Sequence, residues 1–462
     1  MVERKPVSPE DDRVKRAAAP GEKAPRLHAF YRGKIEASVK CAITSFDDLS
    51  VWYTPGVAAP CKEIAADPSK LRDYTNVANA VAVVSDGSRV LGLGNIGARA
   101  SLPVMEGKAL LFKYLGGVGA FPIVLDTQDE DEIVQAVRWI APGFGGINLE
   151  DIATPKCFPI LDRLRAELDI PVWHDDQQGT AAVTLAGLVN ALQLVGKRLD
   201  RVTIALLGVG AAGAATLRVL VAAGVSAGNV RVVDVVDGAP SVLGSGHDLE
   251  RLFPHRGALL ARTNADGVRG STAEALAGAD VVIAFTKPGP DTIQKDWLRR
   301  MNPRGIGFFM ANPVPEIWPW EAADAGLAIV GTGRGDFPNQ INNSLGFPGI
   351  FRGTLDVCAA TITDEMAIAA AYAIAKTAED RGLREDAILP TMMETETFVN
   401  QAVAVGLKAI EQGIARRILT EAELRAEAEL RICRAQNETA LLQREGIIPP
   451  APNGVEGART PR

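Results

Sequence analysis

Arg201–Val225 reads RVTIALLGVGAAGAATLRVLVAAGV, and this stretch decides the fold class. Its opening apolar run lacks alternation, the mark of a strand buried on both faces. The run passes into GVGAAG, with Gly208, Gly210 and Gly213, and then into an Ala/Leu-rich helical pattern. Glycines there allow a tight turn and let backbone N–H groups approach a pyrophosphate at the positive end of the helix. A lone GxGxxG says little. Here a strand precedes it, a helix follows, and Asp234 closes the next apolar strand, RVVDVVDG. Gly208, Gly210, Ala211, Ala212, Gly213 and Asp234 are therefore expected to hold a dinucleotide, with Asp234 on the adenosine ribose. The competing reading is a structural Gly-rich turn. No Arg or Lys closely follows Asp234 to neutralise a 2′-phosphate, so NAD is expected, with NADP the alternative.

Outward from that turn the βαβ series continues through ADVVIAFT, GIGFFMAN and AIVGTG. Upstream, VAVVS (Val81–Ser85), FPIVLD (Phe121–Asp126), GGINLE (Gly145–Glu150) and IPVWHD (Ile170–Asp175) read as further buried strands. Helical patterns such as DEDEIVQAVRWIA and CFPILDRLRAEL lie between them. Such alternation implies α/β architecture with functional groups at the carboxyl ends of strands. The expected fold is an N-terminal α/β catalytic domain, a Rossmann-type parallel-sheet NAD domain, and C-terminal helices packing back. The expected divisions are a disordered arm (1–27), the catalytic domain (28–179), the NAD domain (180–355), a helical segment (356–447) and a flexible tail (448–462).

Two acidic pairs stand at predicted strand ends, Glu150–Asp151 and Asp175–Asp176. Carboxylates converging from two chain ends are how a protein cages a hard cation such as Mg²⁺ or Mn²⁺. The competing reading is helix capping, which is favoured for Asp126 and Thr127. Tyr53, in the rigid turn YTPGV, reads on its own as an ordinary core or surface tyrosine. Lys108 follows Gly107 in apolar sequence (PVMEGKALLF). It is either a snorkelling side chain or a partly desolvated amine with its pKa lowered toward general-base range. Arg89 is either a surface cation or a carboxylate clamp.

At 462 residues the chain exceeds one ordinary core. A net charge of −7 without a long basic run argues against nucleic acid as a partner. The cysteines Cys41, Cys61, Cys157, Cys358 and Cys433 form no CxxC, which suggests neither zinc nor a disulfide framework and suits a reducing cytoplasm. The N-terminus is charged and Pro-rich without the apolar core of a secretory signal. No uninterrupted apolar run reaches the ~18 residues of a membrane span, so no membrane partner is expected. The run TEAELRAEAELRICRAQNETA reads as a solvated helix.

Taken in order, YTPGVAAPC, VSDGSRVLGLGNIG, PVMEGKALLFK, FGGINLEDIATP, HDDQQGTA, GVGAAG, ANPVPEIWP and DFPNQINNSLGFPGIFRG resemble the malic enzyme family, short bacterial type. The resemblance spans about residues 28–440. It implies metal ligands Glu150, Asp151 and Asp176, a catalytic pair Tyr53 and Lys108, and Asp175 as a supporting carboxylate. It places Arg89 on a substrate carboxylate, and Asn312, Asn342 and Asn343 on the substrate or nicotinamide. Two positions depart from the short bacterial pattern: Gln178 stands where a histidine is usual, and Arg89 is usually absent. Both lean toward the larger, eukaryotic type.

The implied reaction is oxidative decarboxylation of (S)-malate to pyruvate and CO₂ with reduction of NAD(P)⁺, dependent on Mg²⁺ or Mn²⁺, in a homodimer or homotetramer. Decarboxylation of oxaloacetate is implied as well. Lys108 takes the hydroxyl proton and Tyr53 protonates the enolpyruvate. The rivals are a malolactic-type enzyme, a metal-free dehydrogenase, and a catalytically silent α/β binding module.

Overall fold

The computed structural model describes residues 9–452. The first sheet has the order β2-β1-β3-β4, all parallel, built from β1 (Ala80–Ser85), β2 (Gly119–Val124), β3 (Gly146–Leu149) and β4 (Val172–His174). All four match the apolar runs read from sequence. β1 and β3 are buried along their whole length because helices cover both faces. The helix Glu130–Ile140 is capped by Asp129, whose side chain accepts from the N–H groups of Asp131 and Glu132. Capping was expected of Asp126 and Thr127. Thr127 instead backs the cap, its Oγ1 accepting from the Asp129 N–H at 3.2 Å.

The second sheet runs β10-β9-β8-β5-β6-β7: β5 (Ile204–Leu207), β6 (Val230–Val236), β7 (Ala239–Val242), β8 (Val281–Ala284), β9 (Ile306–Phe309) and β10 (Ile329–Thr332). Five strands are parallel. β7 folds back antiparallel on β6 through Asp237–Gly238, both at positive φ, a turn that suits a tight hairpin.

Between the sheets runs Thr180–Val195, apolar nearly all round and buried at twelve positions. With its preceding turn it is long and apolar enough to cross a bilayer, yet 78% of that window is buried inside the protein. That is the placement of a core helix. Helices Phe347–Asp356, Asp364–Arg381, Thr395–Glu411 and Glu421–Arg444 pack back on it and on the helix Gly97–Gly116. Gly353 permits the closest of these crossings, since a Cβ there would collide with the carbonyl oxygen of Ala402. The charged run becomes helix Glu421–Arg444, with only Leu424, Ala428, Ile432 and Ala435 buried along one face.

The expected disordered arm is corrected over its described part. Pro9–Tyr31 is a helix despite Pro20 and Pro25. Ala17 is buried, Arg334 Nη2 donates to its carbonyl at 2.5 Å, and the Arg13 guanidinium lies 5.6 Å from the Trp320 ring. Docking on a distant surface supplies burial that local composition does not reveal. Residues 1–8 lie outside the described residues, as do 453–462 of the expected tail; Pro449 of that tail accepts from the Tyr31 hydroxyl.

Candidate active site

Parallel strands end where their helices begin, so residues just past β3 and β4 share one rim. Glu150 and Asp151 follow β3; Asp175 and Asp176 open a π-helical turn after β4. Gly179 closes that turn because any Cβ there would collide with Asp175 Oδ1. One carboxylate oxygen from each of Glu150, Asp151 and Asp176 lies within 4.8 Å of the others. Asp151 is held at φ 55°, and its N–H donates to Asp176 Oδ2 at 2.8 Å. Burial, with Asp176 alongside, pushes Asp151 up to about 8, and burial raises Glu150 well above its usual range. Asp151 Oδ2 is shielded from solvent with no hydrogen-bond partner. Three crowded carboxylates with an orphaned oxygen fit a hard divalent cation.

Lys108 reaches this rim from mid-helix Gly97–Gly116. Its Nζ lies 2.6 Å from Asp175 Oδ2, 2.9 Å from Glu150 Oε1, and 4.4 Å from the centroid of the Phe347 ring. The expected lowering of its pKa is corrected. Burial does pull it down, but Asp175, Glu150 and Asp176 together outweigh burial and raise it. Asp175 is itself fixed by the Trp173 indole N–H at 3.0 Å, and Glu150 by the Asn148 amide at 2.9 Å.

The rim opens into a cavity of about 800 Å³. Lys108, Arg89 and the three clustered carboxylates line one side; Gly210–Gly213, Phe285, Thr286 and Asn312 line the other. Gly210 has open space around its missing side chain, whereas a Cβ on Gly213 would strike the Gly208 carbonyl. The first leaves room for a ligand and the second tightens the turn. Asp234, outside the lining, accepts the Val209 N–H at 2.8 Å and so braces the turn.

Residues 32–165 match the malic enzyme N-terminal domain and residues 329–411 the malic enzyme NAD-binding domain. The bifunctional malic/malolactic enzyme of Bacillus subtilis is 47% identical over 399 residues, covering 86% of this chain and 94% of that one. This chain belongs to the malic enzyme family. The malic enzyme structure from Pyrococcus horikoshii is 56% identical with TM-score 0.86, over 89% of this chain and 95% of that one. The Entamoeba histolytica malic enzyme has TM-score 0.94 at 42% identity, over 98% and 94%. Relatives named as NAD-dependent and as NADP-dependent are both among the matches. The chain is thus an NAD(P)-dependent malic enzyme by family.

The remaining expected site residues of this malic enzyme fall unevenly. Asn312 and Asn343 line the cavity, and Asn343 makes no side-chain hydrogen bond among the described residues. Asn342 also lines it, but its amide is occupied: Nδ2 donates to the Gly333 carbonyl at 2.7 Å and Oδ1 accepts from Ser344 N–H at 2.9 Å. The Arg89 N–H donates to the Asp151 carbonyl at 3.0 Å; its exposed side chain lines the cavity and donates Nη1 to the Leu91 carbonyl at 3.1 Å. Tyr53 is not brought to the cavity. It is 75% exposed, between helices Phe46–Trp52 and Ala58–Ala66, neither of which has a buried residue.

Sequence reasoning missed three groups. Lys34 lines the cavity with its Nζ on the Pro103 carbonyl at 2.7 Å. Phe347 underlies Lys108, inside a motif whose asparagines drew the attention. Glu316, fully buried, accepts the N–H groups of Thr286 at 2.9 Å and Ala311 at 3.0 Å, joining two cavity loops. Burial pushes its carboxyl up to about 7. ANPVPE displayed that glutamate, but no spacing rule assigns it a partner.

Proposed function

We propose that this enzyme converts (S)-malate and NAD⁺ to pyruvate, CO₂ and NADH, with Mg²⁺ or Mn²⁺ held by Glu150, Asp151 and Asp176, and that it also decarboxylates oxaloacetate. NADP⁺ is the alternative acceptor. One observation carries the reading: a single cavity joins the three-carboxylate cluster and Lys108 to the glycine turn of the dinucleotide fold. A divalent cation bound there would polarise the substrate oxygens and draw off the negative charge that keeps Lys108 protonated.

Arg89 and Asn343 orient the substrate, and Asn312 faces the nicotinamide. Lys108 accepts the 2-hydroxyl proton while hydride leaves C2 for the nicotinamide. Asp175 holds the resulting ammonium. Loss of the β-carboxylate as CO₂ then leaves the enolate of pyruvate, whose C3 needs a proton. Tyr53 supplies it as the enolate becomes the ketone, and the Lys108 ammonium returns its proton to the tyrosinate. The hydroxyl proton thus ends on C3, so the reaction releases no net proton.

Tyr53 is exposed on its own subunit, so the tyrosine that serves this cavity is Tyr53 of the partner subunit. The segment carrying it exposes Val39, Ile43, Phe46, Val51 and Trp52 as well, an apolar face suited to a second copy. A homodimer, or a tetramer of such dimers, follows. The five free cysteines suit the cytoplasm as its compartment.

The test is steady-state turnover of malate with each nicotinamide, with Mg²⁺, with Mn²⁺, and after EDTA. Full turnover after EDTA would overturn the reading. The malolactic reading, reduced cofactor retained and lactate formed, is favoured by the Bacillus subtilis relative, a bifunctional malic/malolactic enzyme; NADH accumulation tells the two apart.

A further inference from the structure

Just past β10, the stretch Thr332–Phe337 reads TGRGDF, one arginine between two glycines with an aspartate two residues on. The Arg334 side chain is only 13% exposed, and its donors are shared among three acceptors. Nε and Nη2 fork onto Asp336 at 2.8 and 2.6 Å, Nη1 donates to the Pro313 carbonyl at 2.6 Å, and Nη2 also donates to the Ala17 carbonyl at 2.5 Å. The guanidinium lies 5.1 Å from the centroid of the Phe337 ring. Asp336 supplies the countercharge that burial requires, which leaves the remaining N–H groups to the carbonyls as charge-assisted bonds. A planar five-donor guanidinium spans three acceptors in fixed directions, which an ammonium does not.

The two carbonyls belong to distant parts of the chain. Ala17 is buried in helix Pro9–Tyr31, whereas Pro313 follows Asn312, which lines the active-site cavity. Gly333 and Gly92 wedge Asn312 between them. A Cβ on Gly333 would lie 2.9 Å from Asn312 Nδ2, and one on Gly92, in the loop that carries Arg89, would collide with the Asn312 carbonyl oxygen. The turn is therefore packed on both sides and fastened at its next carbonyl by Arg334. Farther along the same segment, Trp320 stacks on Trp318 at 4.9 Å and takes Arg13 of the N-terminal helix on its ring. The helix thus meets this segment through Arg334 at one end and directly at the other, yet neither Arg334 nor Ala17 lines the cavity.

We propose that Arg334 is a positioning residue through which the docked N-terminal helix holds the Asn312–Pro313 turn in the geometry that binds the nicotinamide cofactor. Loss of an anchor lets the turn drift from a ligand it must meet within hydrogen-bond distance, where a small misplacement is costly. Cofactor affinity falls first, because the turn meets the dinucleotide before any bond is made or broken. The three carboxylates and Lys108 line the other side of the cavity and keep their arrangement, so kcat falls less. The inference rests on the placement of Asn312 at the nicotinamide proposed above.

The test measures NADH binding to the full-length, Mg²⁺-loaded enzyme by fluorescence titration, together with KM for NAD⁺, kcat and melting temperature. The variants are Arg334→Gln, Arg334→Lys, Ala17→Arg, the double variant Ala17→Arg/Arg334→Gln, and Asn312→Ala. In Arg334→Gln the NADH Kd and the KM for NAD⁺ should rise about tenfold, the size of one lost charge-assisted bond, while kcat falls by less than about threefold. Arg334→Lys keeps the pairing with Asp336, so it should restore melting temperature but not cofactor affinity. Ala17→Arg puts a bulky second cation at the docking contact and should raise the NADH Kd about threefold. The double variant should bind NADH no more weakly than Arg334→Gln alone, because the helix acts through that arginine. NADH affinity within about twofold of wild type in both Arg334 variants overturns the proposal, even where melting temperature drops. Additive losses in the double variant, or no effect of Ala17→Arg, overturn the helix's part in it. Asn312→Ala keeps the two readings apart. Unchanged NADH affinity there refutes Asn312 at the nicotinamide, and the Arg334 variants still decide the clamp; weakened affinity there beside normal Arg334 variants refutes the clamp alone.

Discussion

The ammonium of Lys108 lies 2.6 Å from Oδ2 of Asp175, deep in the protein and sealed beneath by Phe347. The pair is an acid–base couple whose proton affinity is set by the charges around it rather than by burial alone. Replacing Lys108 by Ala is expected to lower kcat for malate by about 10²–10⁴. It also strands Glu150 and Asp175 without a buried countercharge, so a loss of stability of about 3–5 kcal/mol should appear in denaturant unfolding without metal. A Lys108→Ala enzyme that oxidises malate normally contradicts the assignment.

Asp151 offers an oxygen with no partner in the protein. Asp151→Asn keeps the size but removes a charged ligand, so Mn²⁺ binding, followed by paramagnetic resonance, should weaken by at least about tenfold. Removing the cation from the wild type with EDTA should abolish turnover reversibly. Unchanged Mn²⁺ affinity in Asp151→Asn would remove it from the ligand set.

Tyr53 is solvent-exposed on its own subunit, and the proposed dimer gives a complementation test. Tyr53→Phe and Lys108→Ala are each expected to be nearly inactive. Equal mixtures, after subunit exchange, should regain about a quarter of wild-type turnover, because half the dimers then carry one intact site. In Tyr53→Phe alone, pyruvate formation should fall more than oxaloacetate reduction. Mixtures that stay inactive despite proven exchange would place Tyr53 in its own subunit's site, or outside the reaction.

Glu316 ties the loop after β8 to the loop after β9, both of which line the cavity. Its carboxyl is raised from the ordinary 4.5 to about 7 by burial. The folded state therefore holds the proton more tightly than the unfolded chain. The stability this gives is complete below about pH 4.5 and is lost as pH rises through 7, roughly 3 kcal/mol over that window. Glu316→Gln should remove that slope from the melting curve. It should also cost about 1–3 kcal/mol, since one amide face meets a backbone N–H it cannot accept. The KM for NAD⁺ should rise more than kcat falls. An unchanged pH slope would show that Glu316 does not titrate there.

The sheets and the carboxylate cluster were legible because strand-end chemistry is local. An unbroken apolar run that stops at Glu150 or at His174–Asp175 announces both the strand and the rim it reaches. Three things depended on distant partners. Whether Lys108 is a cation depends on Asp175, which meets it only in the folded chain. Pro9–Tyr31 looked disordered because its docking surface, around Trp320 and Arg334, lies at the other end of the sequence. Tyr53 read on its own as an ordinary core or surface tyrosine, and the fold leaves it exposed and apart from the cavity. RVVDVVDG was read only as a strand; its Asp237–Gly238 hairpin to β7 went unread, because an edge strand needs no unbroken apolar run to mark it.

The most direct measurement is the product balance when the enzyme meets malate, NAD⁺ and Mg²⁺. The account predicts pyruvate, CO₂ and NADH released in equal amounts, with all three stopping together on addition of EDTA. Lactate formed without NADH, or products that continue to accumulate after the metal is removed, would contradict it.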